Sequence, residues 1–160
     1  SPRLPTPSQE GVCEVRSVVA AVLRLVAHRA AAAGVELATD VAPALPVCAL
    51  APDALRQVLL NLTLNALDAT PADGDVRIAA RSLGQVVQID VEDRGPGIPR
   101  ALRRRLFEPF FSTKSERPGG LGLAISLRIV AEANGTLAIT DRPGGGSRFR
   151  IRLPAMIRSV

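Results

Sequence analysis

The apolar residues of this chain change period several times along its length, and that succession limits the fold more than any other feature. Over 10–33 the spacing of Val12, Val15, Val19, Val22, Leu23 and Val26 puts them on one side of a helix, with Gly34 in the usual stop position. Residues 35–41 alternate apolar and polar, the period of a strand, until Pro43 and Pro46 break it. Asp53 opens a second helix running to about Ala69, with Leu55, Leu59, Leu62 and Ala66 on its buried seam and a turn at Pro71-Ala72-Asp73-Gly74 beyond. A hairpin is expected next, 76–80 and 86–91 about Leu83-Gly84-Gln85. The stretch 95–120 is irregular except for a short helix near 99–106, and long loops in compact domains are usually functional. A third long helix is expected over 121–134, stopped by Gly135, then strands over 136–141 and 147–153 around Arg142-Pro143-Gly144-Gly145-Gly146. Five strands, some in hairpins, and three long helices predict an α/β fold, a two-layer sandwich with a mixed five-stranded sheet covered on one face by three helices.

At 160 residues, 47% of them apolar, the chain suits a single domain with one core, expected over 11–155. Residues 1–10 read as a linker or cut edge and 156–160 as a tail. No stretch approaches the roughly 20 apolar residues of a membrane span. The most apolar early segment is interrupted by Arg16, Arg24, His28 and Arg29, and the Pro-rich start lacks the apolar run of a signal peptide. A cytoplasmic location without direct membrane contact is expected. Cys13 and Cys48 lie far apart in sequence without metal-ligand spacing, so reduced structural thiols are expected. Twenty basic against fifteen acidic residues give +5, yet Tyr and Trp are absent and three of the four Phe fall at 107, 110 and 111. With no stacking platform, nucleic acid is not the expected partner, and arginines spread over solvated faces account for the charge.

Three segments carry chemistry. Asn61 and Asn65 are four apart on the second helix, so their amides lie one turn apart on one side. A carboxamide oxygen suits Mg²⁺ that already carries phosphate oxygens and waters, so the metal is assigned to Asn65 and a phosphate or water contact to Asn61. A polar pair can also mark a solvent face, but Leu60 and Leu64 flank these two, and buried amides need partners. Asp93 precedes Gly95 and Gly97 at the end of a strand; its carboxylate can accept from the exocyclic amine of adenine, while the same segment also reads as a plain tight turn. Gly119, Gly120 and Gly122 lead into the helix near Leu121, whose free N–H groups attract phosphate. Neither a Walker loop nor a dinucleotide fingerprint is present. Lys114 either reaches a terminal phosphate or is a surface lysine. Leu106-Phe107-Glu108-Pro109-Phe110-Phe111 gathers the aromatics where an apolar latch could hold a lid, against the alternative of core filling.

With these segments in this order, the chain resembles the ATP-binding catalytic domain of sensor histidine kinases, in the wider group of gyrase, heat-shock chaperone and mismatch-repair ATPases. Residues 61–65 resemble the family's asparagine box, Asp93-Arg94-Gly95-Pro96-Gly97 its first glycine box, residues 106–114 its phenylalanine box, and Gly120-Leu121-Gly122-Leu123 its second glycine box. The resemblance covers about 11–154 and implies a Bergerat-type ATP-binding fold, a left-handed βαβ-type sandwich with a flexible lid between Gly97 and Gly120. It implies ATP and Mg²⁺ as cofactors, Mg²⁺ on Asn65 and adenine on Asp93. The implied nucleotide set is Asn61, Asn65, Asp68, Asp93, Gly95, Gly97, Ile98, Phe107, Lys114, Gly120, Leu121, Gly122 and Leu123, with Asn61 and Lys114 taking part in the transfer itself. Residues 65–70 are similar to the nitrogen-regulatory type of kinase.

Two positions depart from the group. Its hydrolytic members carry a glutamate where this chain has Asn61, so water attack should be slow and the γ-phosphate is meant for another nucleophile. By resemblance that nucleophile is a histidine. His28 lacks the acidic residue and proline that follow a phosphoacceptor and is read as structural or solvated, which places the acceptor on a separate dimerisation domain, with a response regulator downstream and this domain monomeric by itself. Pro118 replaces a glycine of the second box and bears on the hinge of the lid. Two alternatives use the same fold: an anti-sigma-factor type of serine kinase, and a module in which nucleotide only gates protein binding.

Overall fold

The computed structural model describes residues 11–108 and 121–156. In chain order the elements are α1 (Val15–Ala33), β1 (Glu36–Val41), α2 (Pro52–Ala69), β2 (Asp75–Leu83), β3 (Val86–Glu92), the short α3 (Arg100–Arg103), a 3₁₀ turn (Arg105–Phe107), α4 (Leu121–Glu132), β4 (Thr136–Asp141) and β5 (Ser147–Pro154). The strands form one mixed sheet in the order β1-β2-β3-β5-β4. Only β1 and β2 are parallel, with Leu37 opposite Val76, and α2 is the crossover between them; the other neighbours are antiparallel. α2 touches both α1 and α4 and so forms the middle of the helical layer.

One face of the sheet is apolar. Ile78, Val91 and Phe149 form one cross-strand row, and Ala80, Ile89 and Ile151 the next. They bury against Val19, Val22 and Val26 of α1, Leu55, Leu59 and Leu62 of α2, and Ile129 and Val130 of α4 within one core. Burial of this kind stabilises by roughly 25 cal/mol per Å² of apolar surface. No helix among the described residues is long and apolar enough to cross a membrane.

Several boundaries differ from expectation for identifiable reasons. α1 begins at Val15, because the backbone of Cys13 pairs with that of Cys48 (N to O, 2.8 and 3.0 Å) and is extended. Val12 consequently lies half exposed, off the helical seam. The two thiols, distant in sequence, face each other in the core as free cysteines, and burial pushes them up to about 12 and about 11, which makes them unreactive. β2 runs on to Leu83, and the hairpin turn narrows to Gly84-Gln85, with Gly84 at φ 61°. α4 ends at Glu132, two residues early, as Asn134 takes a left-handed φ of 61°. Gly34 closes α1 as expected, left-handed at φ 69° with its N–H to the carbonyls of Ala30 and Ala31.

Among the described residues no helix covers the opposite face of the sheet, yet Gln88, Asp90 and Glu92 of β3 are buried there. Their cover is arginine. Arg150 holds Asp90 with two bonds (2.8 and 2.9 Å), Arg77 bridges Glu92 (3.0 Å) and Asp40 (2.8 Å), and Arg148 takes the other Glu92 oxygen (3.0 Å). The expected scatter of arginines over solvated faces thus becomes, for this group, a single paired layer whose alkyl stems cover the strands.

Candidate functional site

The end of α2, the turn after β3 and the turn between β4 and β5 meet at one corner of the sandwich. Asp93, only 4% exposed, is held by two backbone donors: its Oδ1 accepts from Gly95 N (2.9 Å) and Ser147 N (3.0 Å). Its own N–H donates to the Ser147 carbonyl (2.9 Å), so β3 and β5 grip it from both sides. Oδ2 makes no hydrogen bond among the described residues and is not one of the buried orphans there. A buried carboxylate with one oxygen fixed and one open is an oriented acceptor for an N–H donor.

Close approach explains the glycines around it. A Cβ on Gly95 would stand 2.9 Å from the Cβ of Ala69 and 3.0 Å from its carbonyl, so this turn lies flat on the end of α2 only without a side chain. Thr70 fastens the same junction, its hydroxyl donating to Ala66 O (2.8 Å) and accepting from Arg94 N (3.0 Å). Gly97 takes φ 82°, the left-handed region. Beyond it, half-buried Ile98 packs on the core and its carbonyl accepts from Arg103 Nε (2.9 Å). Arg103 also pairs with Asp141 of β4 (2.6 Å), so the beginning of the long connection is tied to the sheet edge.

The second helix supplies the amides as expected in place, with partners that the sequence did not indicate. Half-buried Asn61 donates through Nδ2 to Gly122 O (3.3 Å) and Ser126 Oγ (3.4 Å) and accepts at Oδ1 from Gln57 (3.4 Å), so it links α2 to the first turn of α4. Asn65 is half-buried one turn along. Asp68 pairs with Arg29 of α1 (2.8 Å), which holds it toward the opposite neighbour. Gly122 and Leu123 are half-buried in the first turn of α4, and a Cβ on Gly122 would meet the Asn61 amide at no less than ordinary contact distance. Leu106 is buried and Phe107 packs on the core, so this much of the aromatic segment fills core. Leu121 opens α4. Lys114, Gly119, Gly120, Phe110, Phe111 and Pro118 lie outside the described residues. His28 is exposed on α1, in keeping with a solvated residue.

Sequence reasoning missed the far wall. Gly146, at φ 110°, lies so close that a Cβ there would run into the carbonyl of Asp93. Arg94 reaches from the first glycine turn to Asp75 (3.1 Å) and to the carbonyls of Pro143 and Gly145 (both 3.1 Å). Buried Arg142 closes the ring on Asp75 (2.6 Å), and that hydrogen bond, with help from Arg94, holds the Asp75 carboxyl below the usual range. The triple glycine was legible as a turn but not as a neighbour of Asp93.

Among the described residues no group of three or more His, Cys, Asp or Glu could hold a metal by itself. A single amide oxygen at Asn65 fits an ion whose remaining ligands are phosphate oxygens and water.

A family model described as "Histidine kinase-, DNA gyrase B-, and HSP90-like ATPase" matches residues 51–157. The sensor histidine kinase ZraS of Klebsiella oxytoca is 37% identical over 142 residues, covering 88% of this chain and 30% of that protein. The chain therefore spans less than a third of this curated relative's length. Of solved structures, full-length ShkA in complex with AMPPNP superposes with a TM-score of 0.84 at 31% identity, over 97% of this chain and 33% of that one. The catalytic domain of the histidine kinase ThkA gives a TM-score of 0.83 at 26% identity, over 91% and 95%.

Proposed function

The chain belongs to the histidine kinase-, DNA gyrase B- and HSP90-like ATPase family, and from that membership we propose that it is the ATP-binding part of a sensor histidine kinase. It holds ATP with Mg²⁺ and presents the γ-phosphate to a histidine on a separate dimerisation domain, from which a response regulator is served. The observation that carries this reading is Asp93, whose Oδ1 is fixed by Gly95 and Ser147 while Oδ2 stays open to the adenine amine. The AMPPNP complex of the similar ShkA supports an adenine nucleotide as ligand.

Each residue's part follows from its place. Asp93 selects adenine over guanine, which offers a carbonyl where adenine offers an amine. Asn65 would hold Mg²⁺ together with the phosphates, and the ion would supply charge neutralisation to the transferring group. Asn61 positions the first turn of α4, whose N–H groups face the phosphate chain, and Lys114 contributes a point charge to its end. With an amide rather than a carboxylate at 61, no general base activates water, so the phosphoryl group survives for the histidine. We place the domain, a monomer by itself, in the cytoplasm, with the exposed His28 taking no part in transfer.

Calorimetric titration of AMPPNP with Mg²⁺ tests the reading. Micromolar binding is expected, about tenfold to a hundredfold weaker in Asp93→Asn, where an amide N–H would face either the adenine amine or the Gly95 and Ser147 donors. Asn65→Ala should weaken binding only when Mg²⁺ is present, and GTP should not bind. Equal affinity for ATP and GTP, or no loss in Asp93→Asn, would sink the assignment.

A further inference from the structure

The helix-free face of the sheet carries three cross-strand rows that differ in one respect. In two of them β3 contributes a carboxylate with an arginine opposite on β5: Asp90 faces Arg150, and Glu92 faces Arg148. In the third, β3 contributes Gln88, flanked by Arg81 on β2 and Arg152 on β5. Two cations therefore border a neutral amide where the pattern elsewhere has an anion. Arg152 Nε donates to Gln88 Oε1 (3.1 Å), which leaves the amide nitrogen. Gln88 is 2% exposed, and its Nε2 has no acceptor. Arg81, exposed, has no hydrogen-bond or ion-pair partner among the described residues. Arg81, Gln88 and Asp90 help to line an open groove of about 340 Å³, and Arg152 stands in the row at its side, opposite Gln88 on β5.

We propose that the Arg81–Gln88–Arg152 row docks an acidic segment of a separate protein partner, with one Asp or Glu carboxylate seated between the two guanidinium groups and accepting from Gln88 Nε2. A planar two-oxygen acceptor suits both the amide N–H and the guanidinium fork. Arg81 swings aside to admit it without breaking a pairing. The occupant is a monoanion at each point of contact, since Asp90 lies in the next row and disfavours a concentrated double charge. Residues 1–10, 109–120 and 157–160 hold only Glu10 and Glu116 as acids, against Arg3, Lys114, Arg117 and Arg158, and a second copy brings another +5, so charge complementarity favours a more acidic partner than either. The surface lies on the side of the sheet away from the helical layer that carries the nucleotide residues, so occupation of one leaves the other accessible.

The test follows the Gln88 side-chain amide by ¹H–¹⁵N NMR in the labelled 160-residue chain. The probes are an end-blocked Gly-Glu-Asp-Glu-Gly peptide, its Gly-Gln-Asn-Gln-Gly counterpart, and inorganic phosphate. The acidic peptide is expected to shift the Gln88 amide and the backbone amides of Arg81 and Arg152 in a saturable way, and the neutral peptide to leave them unmoved. Arg81→Glu with Arg152→Glu should weaken binding by about tenfold or more. Gln88→Glu supplies the missing carboxylate internally, so it should raise Tm and abolish peptide binding, with AMPPNP titration unchanged as evidence of a folded domain. Undiminished binding to Gln88→Glu, shifts confined to residues away from this row, or a response to phosphate with none to the peptide would each overturn the proposal.

Discussion

Asp93 keeps one carboxylate oxygen open because the backbone around it uses the other, and the residue that permits this is Gly146. Its φ of 110° and its contact with the Asp93 carbonyl leave no place for a methyl group. Gly146→Ala should lower stability by about 1–3 kcal/mol through strain and displacement. Because Ser147 N is one of the two donors that hold Asp93, the same change should also weaken ATP binding, by roughly the tenfold that one misplaced hydrogen bond is worth. Urea denaturation reads the first effect and nucleotide titration the second; a variant that loses stability but keeps full affinity would show that the grip on Asp93 is not needed. The carboxylate and its glycines were legible in the sequence, since a strand ending in Asp93-Arg94-Gly95-Pro96-Gly97 has local chemistry. Ser147, Gly146 and Arg142 were not, because they reach the site through the antiparallel pairing of β3 with β5, and no local pattern records which strand will be the neighbour.

At the scale of elements, the asparagine pair has a divided role. Asn61 joins α2 to α4 through Gly122 O and Ser126 Oγ, so the helix proposed to meet the phosphates is positioned by the helix that carries the amides. Asn61→Asp sets a carboxylate against the Gly122 carbonyl. It should cost about 1–2 kcal/mol and speed hydrogen exchange in the first turns of α4 while leaving β3 and β5 protected. Unchanged exchange at Gly122–Ser126 would mean that the amide does not hold the helix. Periodicity identified every long element here, because each turns one apolar face toward a single core. It failed at ends that depend on distant partners. The start of α1 is set by Cys48, and β2 is prolonged by cross-strand pairs of Arg81, Ser82 and Leu83 with residues of β3. The arginine layer was equally illegible: alternating Arg148, Arg150 and Arg152 reads as a solvated face until Asp90 and Glu92 are found opposite.

For the whole molecule, the ion pairs around Asp75 tie the beginning of β2 to the turn between β4 and β5, two regions separated by the width of the sheet's central strands. Arg142, 6% exposed, makes the shortest of these bonds at 2.6 Å, and Arg94 adds a second. Together they depress the Asp75 carboxyl below its usual range, with the Arg142 hydrogen bond the largest cause. A carboxylate depressed in the folded state contributes stability that is fully present above the unfolded value, near 3.9, and is lost as pH falls through the lower folded value. Arg142→Met keeps the buried stem's volume and removes that bond. At neutral pH the variant should be less stable by about 1–2 kcal/mol, a figure kept small by the partial solvent access of Asp75. The difference should persist down to about pH 5 and shrink below pH 4 as Asp75 takes up its proton in the unaltered chain. Urea midpoints followed by circular dichroism across this range check the sign. A difference between the two proteins that stays constant into acid would mean that Arg142 stabilises by packing and not by holding the Asp75 charge, and the tie between β2 and the glycine turn behind Asp93 would then be steric.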